Sequence, residues 1–161
     1  MKIIKELIPY LVIILVVVIV RTFIVTPIIV QGDSMHPTLE GKEVMLLKKY
    51  DTSYNRFDIV VVNKSVEGDN LIKRVIGLPG ETIRYKNNNL YINDKIIEDP
   101  FAYGITDNFQ EVTLGNDEYF LMGDNREISL DSRSIGVIKK QEIEGTVGIV
   151  IYPFSKFGSV K

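Results

Sequence analysis

Two residues of this sequence, Ser34 and Lys73, have types that could together carry out nucleophilic catalysis. Ser34 lies in residues 31–38, where Gly32 permits close backbone approach and Pro37 fixes the turn that follows. A serine hydroxyl becomes an effective nucleophile only when a neighbouring group accepts its proton. A serine in such a segment is more often simply a turn residue, so the interpretation of Ser34 as a nucleophile depends on a base.

Lys73 is a candidate for that base. It lies in the alternating run of residues 71–76 and shares one strand face with Leu71 and Val75. Apolar neighbours lower the pKa of an ammonium from a reference value of about 10.4, and a neutral lysine amine can act as a general base. The more common alternative is a lysine that reaches solvent at a sheet edge. His36 is a second candidate, but we expect it at the surface or at the substrate rim.

A third polar cluster occupies residues 123–133 and is dense in Asp, Asn, Ser and Arg. Asp131 and Arg133 are two residues apart and could form an ion pair that braces a loop of the active site. An exposed polar loop is the default interpretation of such a composition. The residues alone leave both interpretations open.

The composition excludes several kinds of site. The chain has 161 residues with no cysteine and one histidine, which excludes disulfide scaffolds, thiolate zinc sites, cysteine nucleophiles and metal sites built on several histidines. Its 19 basic and 21 acidic side chains give a formal net charge of −2, which argues against electrostatic binding of nucleic acid. We therefore expect no metal, no cofactor and no nucleic-acid partner.

The N-terminal part of the chain is apolar enough to cross a membrane. We predict a transmembrane anchor over residues 7–25, since Pro27 disfavours helix just before it. Lys2 and Lys5 favour a cytoplasmic segment of residues 1–6 and an extracytoplasmic remainder. A cleaved signal peptide needs a small-residue cleavage site, which this sequence lacks after the apolar run. A buried core helix is the other alternative, but so long a β-branched run is unusual in a soluble protein.

The rest of the chain, residues 26–161, has short apolar runs separated by turn residues, which predicts an all-β domain. The predicted fold class is mainly β, with a single N-terminal transmembrane helix. Residues 139–143 could form a short helix, and residues 100–109 are the least regular stretch. The predicted strands are residues 44–48, 58–63, 71–76, 82–86, 90–92, 95–97, 118–122 and 146–152.

Four segments that follow the apolar run resemble, in the family's order, the sequence boxes of type I signal peptidases. The single anchor and the short length are similar to the Gram-positive bacterial form. Only a shortened insert, roughly residues 86–114, separates the last two boxes. The matching segments are residues 32–39 (GDSMHPTL, the serine box), 56–61 (RFDIVV), 73–81 (KRVIGLPGE, the lysine box) and 123–136.

The resemblance implies catalytic roles for particular residues. Ser34 is the implied nucleophile, and Lys73 is the implied general base and later the acid for the leaving amine. Ser129 is implied to hydrogen-bond the lysine amine and orient it. Asp131 and Arg133 are implied to form the bracing pair.

Further roles follow from the same resemblance. Asp124 and Asn125 are implied to shape the loop behind the lysine, and Met35 to line the substrate-binding surface. The backbone N–H of Ser34 is implied to donate to the oxyanion. Gly32 stands where Gram-negative members carry a serine that supplies the second donor, which leaves a backbone group there or a water.

The implied function is that of a serine endopeptidase of the plasma membrane that removes signal peptides from secretory preproteins, cutting after small residues. Its implied partners are those preproteins and the lipid bilayer, into which Ile28, Ile29, Phe154 and Phe157 could dip. Simple packing is the alternative for the two isoleucines. Two other functions remain open: a peptidase of the same family dedicated to one substrate such as a pilin, and a membrane-tethered β-domain that binds exported peptides without cutting them.

Overall fold

The structure is a computed structural model that describes residues 2–66 and 69–160, with side chains for residues 6–63 and 70–160. The predicted mainly β fold with one long N-terminal helix is confirmed. The described elements are α1 (Lys2–Phe23), β1 (Val25–Ile29), β2 (Val44–Lys48), β3 (Ile59–Val66), β4 (Asp69–Gly77), β5 (Thr82–Lys86), β6 (Asn89–Ile92), β7 (Lys95–Ile97), β8 (Phe109–Thr113), β9 (Glu118–Met122), α2 (Ser132–Ile135), β10 (Ile138–Lys139), β11 (Ile143–Tyr152) and β12 (Gly158–Ser159).

The described side chains of α1, those of residues 6–23, pack against almost no protein. Its last 18 residues, from Glu6 to Phe23, have a mean hydropathy of 2.3, so the helix is long and apolar enough to cross a membrane. Their apolar side chains are exposed, which excludes the alternative of a buried core helix. The helix ends at Phe23 rather than at the predicted Val25, because Val25 pairs with Lys48 and begins β1.

The main sheet is antiparallel and has the strand order β1-β2-β11-β3-β4-β9-β10, with β12 paired to β11. The valine-rich β3 lies in its interior, and Val60, Val61 and Val62 are all buried. A continuous apolar run is expected for a strand that is covered on both faces. Two apolar clusters form on the two sides of this sheet, one around Met45 and Val61 and the other around Val60 and Leu121.

A second antiparallel sheet, with the order β7-β6-β5-β8, is built from the chain between β4 and β9. It coincides with most of the insert that the sequence placed at roughly residues 86–114. Ile83 and Tyr85 of this sheet pack with Phe120 of β9 in a third buried cluster. Arg126 also joins the two sheets, because its buried guanidinium bonds to Tyr85 and forms an ion pair with Asp99.

The predicted strands are all present, and their ends differ from the prediction by at most three residues. Four strands lie outside the prediction: β1, of which only Val25 falls in the predicted span, β8, and the two-residue strands β10 and β12. The predicted helix at residues 139–143 is reduced to a single 3-10 turn, Lys140–Glu142, because Ile143 already begins β11. Ile28 packs against the core, whereas Ile29, Phe154 and Phe157 are exposed.

Candidate active site

The loop between β1 and β2 presents Ser34 at the surface. Its ends are joined by a hydrogen bond of 2.8 Å from the Val30 N–H to the Glu43 carbonyl, and the Leu39 N–H donates to the Met35 carbonyl at 2.9 Å. The side chains of Met35 and Leu39 are buried in the core. The residues that follow Ser34 therefore fix the loop, and Ser34 itself remains half-buried.

The side chain of Lys73 reaches Ser34 from β4. Its Nζ lies 2.7 Å from the Oγ of Ser34, and the residue is only 4% exposed. Burial lowers the pKa of Lys73 to about 8, while the carboxylates of Asp131 and Asp124 act in the opposite direction. The alternative of a lysine that reaches solvent is therefore wrong for this residue. Near pH 8 a large fraction of the amine is neutral and can accept a proton from the serine hydroxyl.

Asp124 is held behind this pair by a buried ion pair with Arg74. Arg74 follows Lys73 on β4 and points to the opposite face, where its Nε and Nη2 each donate to the Asp124 carboxylate at 2.7 Å. Neither side chain is exposed. The hydroxyl of Thr38 donates to the same carboxylate. Asp124 thus ties β4 and the loop after β9 to the loop that carries Ser34.

Asp131 and Arg133 form the ion pair that their spacing suggested. The Nε and Nη2 of Arg133 donate to the two carboxylate oxygens at 2.8 Å, and the Gly123 N–H donates to the same group at 3.0 Å. Burial opposes ionisation of Asp131, but Arg133 and the Gly123 N–H hold the pKa of this carboxyl below its ordinary value. Asp131 therefore carries a negative charge close to Lys73 at neutral pH.

Ser129 lies beside the nucleophile loop without a hydrogen bond. Its Oγ is buried and has no hydrogen-bond partner in the described part of the chain, although it is near enough to Asp131 to help keep the pKa of that carboxyl low. A Cβ on Gly123 would lie 2.3 Å from this Oγ and 2.4 Å from the Ser34 carbonyl oxygen, so a side chain does not fit there. The hydrogen bond from Ser129 to the Lys73 amine that the resemblance implies is not formed in this structure.

Asn125 contacts the nucleophile through its backbone. The Asn125 N–H donates to the Ser34 carbonyl oxygen at 3.0 Å. Asn125 also forms a parallel β-bridge with Tyr103, and the Tyr103 ring packs edge-on against His36 with ring centres 5.1 Å apart. Residues 100–109, which the sequence marked as irregular, therefore lie against the site. Within the described part of the chain no hydrogen bond joins His36 to Ser34 or Lys73.

A cavity of about 50 Å³ opens beside Ser34, which is room for a small side chain or a few water molecules. Gly32, on its rim, has a φ of +70°, a left-handed conformation that suits glycine. The N–H groups of Gly32 and Ser34 donate no hydrogen bond among the described residues. Met35 forms one wall of this cavity although it belongs to the core. The lining residues are Val30, Gln31, Gly32, Ser34, Met35, Asn70, Leu71, Ile72 and Lys73.

Sequence reasoning missed several residues that hold the site together. Arg74 and Thr38 fix Asp124, and Gly123 brings Ser129 against the Ser34 loop. One signal in the sequence could have indicated this contact. Arg74 is a charged residue on an otherwise apolar strand face, and a buried guanidinium needs an acidic or polar partner. A larger cavity of about 470 Å³ is lined by Lys48, Phe57 and other residues but by neither Ser34 nor Lys73, so size alone does not mark this site.

The fold and the site together define a class: a mainly β protein, preceded by one long apolar helix, in which a serine hydroxyl lies directly against a buried lysine amine. Residues 3–152 match the family model described as signal peptidase, peptidase S26. The chain belongs to this family.

Individual relatives agree with the family match. The chain is 40% identical over 159 residues to signal peptidase I of Bacillus amyloliquefaciens, covering 89% of this chain and 85% of the relative. It is 41% identical over 155 residues to signal peptidase I S of Bacillus subtilis strain 168, covering 85% and 82%. The crystal structure of a signal peptidase I from Enterococcus faecalis V583 is similar with a TM-score of 0.53 and 33% identity, over 58% of this chain and 96% of that one.

Proposed function

We propose that the protein is a membrane-anchored serine endopeptidase that removes signal peptides from secreted preproteins with Ser34 as nucleophile and Lys73 as base. The observation that carries the proposal is the 2.7 Å contact between the Ser34 Oγ and the buried Nζ of Lys73. Apolar surroundings supply a neutral amine at moderate pH, and the amine lies at the distance that proton transfer needs.

The reaction follows from this geometry in two steps. The neutral Lys73 amine accepts the hydroxyl proton while the Ser34 Oγ bonds to the scissile carbonyl carbon, and the carbonyl oxygen becomes negative. The N–H groups of Ser34 and Gly32, which donate to no other group among the described residues, can donate to that oxygen. The Lys73 ammonium then protonates the leaving amine as the C–N bond breaks. Water then loses a proton to the same amine and bonds to the acyl carbon, and the Lys73 ammonium returns that proton to the Ser34 Oγ as the ester bond breaks.

The cavity beside Ser34 supports a preference for small residues before the cut. About 50 Å³ between Gly32, Met35 and Ile72 accommodates a methyl group but not a large side chain. β9 pairs with β4 only from Arg74 onward, so on that side the edge of β4 before Arg74 is not paired with a strand in the described structure. An extended substrate can add to this edge through backbone hydrogen bonds.

The membrane arrangement is also part of the proposal. α1 is the anchor, Lys2 and Lys5 favour a cytoplasmic N-terminus, and the β domain lies outside the cytoplasm. The exposed side chains of Phe154 and Phe157 provide apolar surface for the bilayer interface. Substrate and enzyme then meet with the cleavage site near the membrane surface.

The test is cleavage of a preprotein by the purified full chain in detergent. Ser34→Ala and Lys73→Ala should each abolish cleavage, while the matched exposed-residue variants Ser53→Ala and Lys95→Ala should not. A complete loss with His36→Ala combined with activity of Lys73→Ala would assign the base to His36 instead. Covalent labelling of wild type, but not of Ser34→Ala, by a serine-reactive acylating agent would separate an enzyme from a protein that only binds peptides.

A further inference from the structure

The ring of Tyr103 is a half-exposed aromatic surface directly beside the nucleophile loop. Tyr103 is 49% exposed, although its backbone is fixed on both sides: its N–H donates to the Asp124 carbonyl at 2.8 Å and its carbonyl accepts from the Arg126 N–H at 3.0 Å. The β-bridge to Asn125 places the Tyr103 backbone about 5 Å, one strand spacing, from the backbone of Asn125. The Asn125 N–H in turn donates to the Ser34 carbonyl.

This surface is separate from the small cavity beside Ser34. The cavity is lined by residues 30–32, by Ser34 and Met35, and by the β4 residues 70–73, and its described lining includes neither His36 nor Tyr103. His36 follows Ser34 by two residues, and Tyr103 bridges to Asn125, whose N–H bonds to the Ser34 carbonyl, so both adjoin the nucleophile outside the cavity, where a peptide with a small side chain in the cavity can continue. Ile105, two residues further along the chain, is 66% exposed and adds apolar side-chain surface to the same segment.

We propose that His36, Tyr103 and Ile105 form a binding surface for the first two residues after the scissile bond, and that it favours an apolar side chain there. The inference rests on the proposed function, since it requires a substrate that crosses Ser34. The Tyr103 ring is already held by its backbone bonds and by its edge-on contact with His36, so little ordering is needed when a side chain packs on it.

The expected selectivity is modest and measurable. A leucine that loses about half of its exposed surface against such a ring binds about fivefold more tightly than an alanine. Among substrates that share one sequence before the cut, those with Leu at the first or second position after it should therefore have a kcat/KM about fivefold higher than those with Ala, mainly through KM.

The experiment measures kcat and KM of the full chain in detergent on these Leu and Ala peptides. Tyr103→Ala should bring the Leu-to-Ala ratio close to one, whereas Tyr103→Phe should keep it, since the ring is retained. Tyr50→Ala removes a comparably exposed tyrosine at the end of β2 and should also keep the ratio.

The opposite results would overturn the inference. If Tyr103→Ala lowers kcat equally for Leu and Ala peptides and leaves their ratio unchanged, the ring only braces His36. A wild-type Leu-to-Ala ratio of kcat/KM near one would also overturn the inference, because the enzyme would then have no preference for an apolar side chain after the cut. Ser34-dependent cleavage with either of these results would leave the proposed function intact, whereas the absence of any Ser34-dependent cleavage would refute both.

Discussion

Replacing Lys73 by methionine is expected to stabilise the folded protein at neutral pH although it removes the proposed catalytic base. Lys73 is 4% exposed, and burial lowers its pKa from 10.5 to about 8. A shift of this size means that burying the ammonium destabilises the folded protein by about 3 kcal/mol at pH values where Lys73 is protonated. Methionine fills a similar volume without a charge.

The net gain is smaller, because the Ser34 hydroxyl loses its hydrogen bond to Lys73, which costs about 1 kcal/mol. We therefore expect Lys73→Met to raise the free energy of unfolding by about 2 kcal/mol at pH 7. The folded pKa is the lower one, so between pH 8 and 10.5 the unfolded chain binds more protons than the folded chain. The wild type thus gains stability as the pH rises through that window, and the advantage of the variant should disappear.

The assay is urea unfolding of both proteins in the same detergent at several pH values between about 7 and 10. Lys95→Met, at an exposed position of β7, is the matched control and should change the stability little at any pH. A Lys73→Met protein less stable than wild type at pH 7 would refute the reasoning. So would a stability difference that stays constant across the pH range, since the ammonium would then not be the source of the cost.

Two further predictions concern the reaction itself. The kcat of peptide cleavage should rise about tenfold between pH 7 and pH 9, with a midpoint at about pH 8, because the Lys73 amine loses its proton in that range. A kcat that does not change over this range would contradict the assignment of Lys73 as the base. Gly123→Ala should lower kcat by about a hundredfold or more, because the new Cβ collides with the Ser34 carbonyl. Gly148→Ala is the control and should retain activity, because there is open space around its Cβ. Equal kcat values for the two variants would show that the Ser34 loop can move to accommodate the new Cβ without loss of activity.

The strands that position Lys73 were predictable from its neighbours. Alternation in residues 71–76 placed Leu71, Lys73 and Val75 on one face, and the structure buries that face. The choice between a buried base and a solvent-reaching lysine was not predictable, because it depends on what covers the face. The Ser34 loop provides that cover, and it is distant in sequence from β4.

The parts that failed have a common physical reason. β1 is absent from the predicted strands because its residues are as apolar as those of the span before it, and only the pairing of Val25 with Lys48 decides that the helix ends at Phe23 rather than at Val25. β8 has a polar face and short length, so its alternation is weak. The contact of Asp124 with Arg74 and Thr38 joins residues 50 and 86 positions apart, which no local pattern can indicate.

The two arginines of the site explain how Lys73 can lie near two carboxylates and still have a low pKa. The negative charges of Asp124 and Asp131 raise the pKa of Lys73, and unpaired they would do so strongly in a buried site. Arg74 and Arg133 each bind one carboxylate through two hydrogen bonds, so Lys73 is close to two nearly neutral pairs. Burial therefore determines the protonation of Lys73, and the ion pairs fix the loops around it. Apolar cover and paired carboxylates together give an amine next to Ser34 that becomes neutral near pH 8.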